Sequence, residues 1–73
     1  MELREIIGPE ATVRLTSDEL LIISNALNEV CNGLDLPEFA TRMGADQQEV
    51  MCLLKDFGAV YDKVALASGA APK

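Results

Sequence analysis

The residues that could carry out chemistry are few, and their types point away from catalysis. The 73-residue chain has no histidine, so it lacks the Ser-His and Cys-His couples of nucleophilic enzymes and the ligands of most catalytic zinc sites. Cys31 and Cys52 stand 21 positions apart without Cys-x-x-Cys spacing, which is typical of reduced, semi-buried thiols. We therefore predict a protein that is not an enzyme and that uses no metal or cofactor.

The charge balance gives the next constraint. Twelve acidic residues against six basic ones give a net charge of −6. Phosphate contacts require a local surplus of lysine and arginine, whereas an acidic surface favours a basic protein partner approached by electrostatic steering. The sequence thus predicts protein binding in preference to nucleic-acid binding.

Acidic and amide side chains on one predicted helix form the first candidate site. They recur at steps of three, four and seven, which places them on one side of the helix. Asparagine is a poor helix former, so its repeated use there favours a surface where short amides and carboxylates meet basic groups. The alternative is that these side chains bond within the chain. The predicted partner-binding residues are Asp18, Asn25, Asn28, Glu29, Asn32 and Asp35.

A second candidate site lies in the helical segments between Pro37 and Phe57. Ala40, Gly44 and Val50 have the spacing of a helix-turn-helix, in which alanine permits a close crossing and glycine the turn. The β-branched valine fixes the second helix. The run from Ala40 to Val50 resembles the helix-turn-helix of phage-repressor-type regulators.

That resemblance places Arg42, Gln47 and Gln48 toward DNA. The surrounding charges argue against it, because Asp46 and Glu49 flank the two glutamines where phosphates would have to approach. A tight corner in a small helical bundle explains the same spacing without DNA. A dimeric DNA-binding regulator is therefore the alternative hypothesis.

The elements that position these residues are predicted to be mainly α-helical. Thr16 with Glu19, and Asp46 with Glu49, match the capping box at a helix start, and apolar residues then recur at steps of three and four. We predict a small three-helix bundle with a helix-turn-helix-like corner, forming one domain over residues 1–66. The helices are expected at residues 17–32, 37–43 and 47–64, with a flexible tail at 67–73.

Glycines mark the expected helix ends. Gly33 is predicted to stop the first helix in the left-handed conformation, and Gly44 ends the second. Gly58 lies inside the third apolar pattern. It indicates a bend, a close approach of another helix, or a helix end near residue 57.

The first fifteen residues are predicted to form either an extended arm or a short β-hairpin. Ala11, Val13 and Leu15 alternate with polar residues, which is the period of a half-buried strand. Gly8 and Pro9 form a strong turn signal. Because a two-stranded ribbon is barely stable alone, a hairpin would have to lie on the helices or on another subunit.

Some apolar residues exceed what a three-helix core is expected to cover. Small chains often bury such a surplus by dimerising. A homodimer, or a homo-oligomeric accessory subunit without activity of its own, is therefore a further hypothesis. The surplus residues are Leu21, Ile22, Met51 and Cys52.

The sequence shows no targeting signal, so we expect a cytoplasmic protein. The longest apolar run, Leu20 to Ile23, is far shorter than a membrane span. Met1 is followed by Glu2 and Glu5 rather than by a basic segment and an apolar stretch, so we expect no signal peptide and no membrane association.

The segment from Leu20 to Gly44 also carries a family resemblance. Its text, Leu-Leu-Ile-Ile-Ser-Asn-Ala-Leu-Asn-Glu-Val-Cys-Asn-Gly followed by Leu-Pro-Glu-Phe-Ala-Thr-Arg-Met-Gly, resembles small bacterial immunity proteins. These proteins accompany secreted polymorphic toxins and the toxins of contact-dependent growth inhibition. The resemblance implies a non-enzymatic cytoplasmic protein that binds one cognate toxin, often a basic nuclease domain. It transfers no site residue, because the family does not share one binding motif.

Overall fold

The computed structural model describes residues 1–69, which form a β-hairpin followed by three helices. The prediction of a mainly helical chain is confirmed, and the first fifteen residues adopt the hairpin rather than an irregular arm. The strands are β1 (Glu2–Ile7) and β2 (Glu10–Arg14), and the helices are α1 (Ser17–Asn28), α2 (Phe39–Met43) and α3 (Gln47–Ala67).

The hairpin turns at Gly8 and Pro9. Gly8 has a φ of 57°, a conformation that glycine adopts without strain, and the fixed negative φ of proline suits the second turn position. The strands pair antiparallel, with Ile7 opposite Glu10. The register shifts between Leu3 and Glu5, so the intervening Arg4 forms a β-bulge.

Both long helices begin where the capping residues predict. The backbone N–H of Glu19 donates to the Thr16 hydroxyl at 3.2 Å, and the Thr16 N–H donates to the Glu19 carboxylate at 2.9 Å, so the first capping box is complete. At the start of α3, the Glu49 N–H donates to the Asp46 carboxylate at 2.8 Å. These bonds satisfy amides that a helix start otherwise leaves unpaired.

The end of α1 differs from the prediction. Regular α-helix stops at Asn28, and a five-residue π turn, Glu29–Gly33, continues it. The N–H of Leu34 donates to the Glu29 carbonyl, five residues earlier, at 2.9 Å. The expectation that Gly33 takes the left-handed conformation is wrong, since the widened turn closes the helix without a positive φ there.

The second helix is a single short turn. It begins at Phe39, two residues after the predicted start, and Gly44 closes it with a φ of 80°, as expected for a glycine stop. Phe39 and Met43 are half-buried, but Ala40 is exposed. The helix-turn-helix-like corner is not confirmed, because that motif needs the alanine at a close helix crossing, and the described residues of α2 make no extensive contact with α3.

The main packing in the chain is between α1 and α3. The two helices run antiparallel: the Gln47 side chain at the start of α3 donates to the Cys31 carbonyl at 2.7 Å, while Leu20 at the start of α1 lies beside Phe57 and Val60. Four residues of the described chain are fully buried. They are Leu20, Cys31, Val50 and Ala65.

The third helix is continuous through Gly58 and ends at Ala67, three residues beyond the predicted end. A Cβ built on Gly58 would meet no atom within 4 Å, so no helix of the described chain approaches closely there. Ala65 is buried, which explains why the helix continues into a sequence of small residues. The predicted flexible tail begins inside this helix, and its residues 70–73 lie outside the described part of the chain.

Two further findings concern features predicted from composition. Both cysteines are unbonded, with Cys31 in the core and Cys52 exposed. Within residues 1–69, none of the helices combines the length and the apolar character that crossing a membrane requires.

Candidate functional site

The candidate site is the solvent-facing side of α1 and its π turn, which we name the amide–acid face. All six of its residues are exposed, five of them on α1 or the π turn and the sixth in the loop that follows. The helical period is what places them on a common side. The amide–acid face consists of Asp18, Asn25, Asn28, Glu29, Asn32 and Asp35.

The regular part of the face is a straight stripe. Asp18, Asn25 and Glu29 are separated by seven and four residues, which returns them to one side of the helix over about 16 Å of its length. Asn32 donates from its side-chain nitrogen to the side-chain oxygen Oδ1 of Asn28 at 2.9 Å. The side chains of the two asparagines are therefore hydrogen-bonded to each other on the helix surface, at the start of the π turn.

An apolar side chain lies within this polar stripe. Ile22 occupies the position between Asp18 and Asn25 and is 66% exposed. A well-exposed apolar residue surrounded by polar groups is the arrangement of a binding hot spot, where the apolar group loses its water and the surrounding groups exclude solvent. The sequence predicts Ile22 only as surplus apolar surface. Its exposure depends on which side of α1 packs against α3.

The electrostatic field around α1 has one sign. Between Arg14 and Arg42 the sequence has no lysine or arginine. The same stretch carries five carboxylates, so no basic side chain of α1 or the following loop offsets the negative potential. Those carboxylates belong to Asp18, Glu19, Glu29, Asp35 and Glu38.

One of these carboxylates has a structural role. Glu19 forms an ion pair with the terminal ammonium group of Met1 and accepts the Thr16 N–H. The hydrogen bond from the Met1 ammonium, reinforced by the bond from Thr16, lowers the pKa of Glu19 below its ordinary value. Glu19 therefore joins the end of the hairpin to the start of α1, and it is not part of the amide–acid face.

The residues predicted to face DNA are arranged differently. Gln47 and Gln48, in the first turn of α3, line an open hollow of about 440 Å³ together with Met51, Cys52 and Lys55. All of these residues come from a single helix. The side-chain nitrogen of Gln47 donates to the backbone carbonyl of Cys31, which satisfies an acceptor within the π turn. Arg42 is exposed on α2 and does not line the hollow.

The hollows between the described residues are small or open. An apolar hollow of about 200 Å³ lies between Leu15, Leu20, Phe57 and Val60, which is smaller than the roughly 300–1,000 Å³ of ligand pockets. The hollow of about 440 Å³ at the start of α3 has the volume of a ligand pocket, but it is open and its lining comes from one helix. Within residues 1–69, no three side chains of histidine, cysteine, aspartate or glutamate come together where they could hold a metal ion.

No family model matches the chain, and no curated protein or solved structure is significantly similar to it. Its function therefore has to be inferred from its own surfaces and charges.

Proposed function

We propose that this protein is an immunity protein, a non-enzymatic inhibitor that binds and neutralises a cognate basic toxin of the nuclease type through the amide–acid face of α1. The observation that carries the proposal is the segregation of charge. The stretch from residue 15 to residue 41 holds five carboxylates and no basic side chain, and an exposed isoleucine lies on its solvent-facing side.

The physical basis is complementarity of charge. A nuclease has to be basic where it holds a phosphate backbone, so an acidic inhibitor is steered to that surface and binds quickly. Ile22 would lose its water against an apolar spot of the toxin, while Glu29 and Asp35 meet basic side chains around it. The short side chains of Asn25 and Asn28 lose little conformational entropy on binding.

The test begins with the partner itself. The full chain, tagged at its C-terminus, is used to capture partners from its source cell, and stoichiometric partners are identified by mass spectrometry. The expected partner is a basic C-terminal fragment of a large secreted protein. Its affinity for the wild-type chain is then measured by calorimetry over a range of salt concentrations, and we expect binding to weaken as salt screens the charges.

Charge reversal identifies the surface. Glu29→Lys combined with Asp35→Lys is expected to weaken toxin binding several-fold while the helical circular dichroism signal is retained. Asp56→Lys combined with Asp62→Lys makes the same change in net charge on α3 and serves as the matched control. Equal losses of affinity in both double variants would show that net charge alone is responsible and would remove the amide–acid face from the proposal.

Ile22 separates packing from charge. Ile22→Ala removes apolar contact without changing the charge. We expect the toxin to dissociate faster from this variant than from the wild type, with the association rate unchanged. A change confined to the association rate would contradict the role of Ile22 as an anchor.

The second candidate function is DNA recognition through the segment from α2 to α3. Gly44, with its positive φ, and the buried Val50 support it. The exposed Ala40 and the bond from Gln47 to Cys31 weigh against it. Capture of nuclease-sensitive DNA in place of a toxin fragment, with steep salt dependence, would move the assignment to Arg42, Gln47 and Gln48.

A further inference from the structure

The bulge at Arg4 sorts the hairpin into two unlike faces. Residues that pair across an antiparallel ladder share a face, and the shift at the bulge brings Leu3 and Ile6 to the same side although they are three positions apart. That side, which we name the apolar hairpin face, carries no charged residue. It consists of Leu3, Ile6, Ala11 and Val13.

The opposite side of the hairpin is polar. It holds the pairs Glu2 with Arg14 and Glu5 with Thr12, and only Ile7, paired with Glu10, is apolar there. Without the bulge, strict alternation would have placed Leu3 and Ile6 on opposite sides. The bulge therefore produces a surface with the composition of a buried sheet face.

Within the described chain, the apolar hairpin face is uncovered. Leu3 is 58% exposed and Ile6 67% exposed, and the two strands contact each other but make no extensive contact with the helices. None of the four fully buried residues of the described chain belongs to a strand. An isolated two-stranded hairpin is marginally stable in water, so an ordered hairpin of this kind requires a cover.

The area of the molecule leaves room for such a cover. The chain exposes 5673 Å² of surface, whereas a compact monomer of this mass would expose about 4,400 Å². Its radius of gyration is 13.8 Å, compared with about 11 Å for a compact domain of this length. The helices contribute to this excess, since Ile22 and Leu66 are each 66% exposed, and the apolar hairpin face supplies another part of it.

Charge indicates what the cover is. The first fifteen residues carry three acidic and two basic side chains, whereas residues 16–67 carry nine acidic and three basic ones. A basic partner is therefore drawn to the helices and finds no complementary charge on the apolar hairpin face. A second copy of the same face matches it, because an uncharged apolar surface is complementary to itself about a two-fold axis.

We propose that a second copy of this chain covers the apolar hairpin face, with the two hairpins packed face to face in a homodimer. The side chains of Leu3, Ile6 and Val13 from each copy fill the space between the two sheets. The polar sides of both hairpins stay in water. This proposal rests on the hairpin alone and holds whether or not the helices bind a toxin.

Neighbouring isoleucines on β1 provide a matched test. Ile6 lies on the apolar hairpin face and Ile7 on the opposite side, and their exposures, 67% and 64%, are nearly equal. Sedimentation equilibrium of the full chain is compared for the wild type, Ile6→Lys and Ile7→Lys, since a lysine at position 7 faces Glu10 without like-charge repulsion. We expect dimers for the wild type and Ile7→Lys. Ile6→Lys is expected to weaken dimerisation by about a hundredfold or more, since it buries a charge in the interface.

A milder pair of variants covers the case in which Ile6→Lys does not fold. Val13→Thr keeps the branched shape and adds a hydroxyl on the apolar hairpin face, and it is expected to weaken the dimer about tenfold. Thr12→Val on the opposite side is its control. A wild-type chain that stays monomeric, or a dimer weakened equally by both members of a pair, would overturn the proposal. Equal weakening would place the contact at a strand edge or on the helices.

Discussion

The hairpin and the helical pair form their surfaces in opposite ways. The helices α1 and α3 pack against each other around buried residues such as Leu20 and Val50, and they present carboxylates, amides and a few apolar side chains to solvent. No strand residue of the hairpin is fully buried within the described chain, and one hairpin face is apolar while the whole segment is nearly neutral. The acidic composition therefore does not describe every surface of this small protein, and we propose a different kind of partner for each of the two regions.

The helical pair should be the region whose core sets the stability of the molecule. Leu20 is 3% exposed in the contact between α1 and α3. Leu20→Ala is expected to lower the free energy of unfolding by about 2–4 kcal/mol, through lost transfer energy and the cavity that remains. Urea denaturation followed by circular dichroism measures it. Leu66→Ala, at a position 66% exposed, is the control and should change stability little. Similar losses in both variants would contradict the assigned core.

The hairpin should unfold separately from the helices. Gly8 has a φ of 57°, so Gly8→Ala forces an L-residue into the left-handed region and should destabilise the turn by about 1–2 kcal/mol. We expect weaker dimerisation by sedimentation and an almost unchanged helical circular dichroism signal. A loss of the helical signal as large as the loss of dimerisation would show that the hairpin and the helical pair fold as one unit.

A substitution at Gly58 tests whether another chain contacts α3 at this position. Because a Cβ there meets no atom within 4 Å, Gly58→Ala should stabilise the chain by about 0.5–1 kcal/mol, through higher helix propensity. The urea midpoint measures the change. Destabilisation, or a loss of partner binding, would indicate that another chain approaches α3 closely at this point.

The smallest expected effect concerns the link between the two regions. The bond to the Met1 ammonium lowers the pKa of Glu19. The ion pair therefore stabilises the fold above the ordinary pKa of a glutamate, and this stabilisation is lost as the pH falls through the lowered pKa. The stability difference between the wild type and Glu19→Gln should therefore shrink on acidification. Urea midpoints at a series of pH values measure it, with Glu10→Gln as the control. A difference that does not change with pH would contradict the ion pair.

Local signals explain how much of the fold could be predicted. The starts of α1 and α3 follow from Thr16 and Asp46, because a cap bonds to amides only three residues away. The end of α1 could not be located in this way. A single π turn of five residues is too short to show a period of its own in the sequence, and the bond from Gln47 to the Cys31 carbonyl within that turn comes from a residue 16 positions away.

The candidate surfaces differ in the same respect. Exposure of the amide–acid face follows from helical spacing, which is local. The apolar hairpin face depends on the bulge at Arg4, and a bulge is set by the pairing of two strands. The alternation of Ala11 and Val13 predicts half of that face. Leu3 and Ile6, with their spacing of three, do not fit a strand pattern until the register is known.

We propose that the helical pair is complete within one chain and that the hairpin needs a second copy. Amide hydrogen exchange of the full chain, measured at a low and a high protein concentration, separates the two regions. We predict that protection of the β1 and β2 amides rises with concentration, while the amides at the centres of α1 and α3 change much less. Hairpin amides with equal protection at both concentrations, in a chain that sediments as a monomer, would contradict the claim.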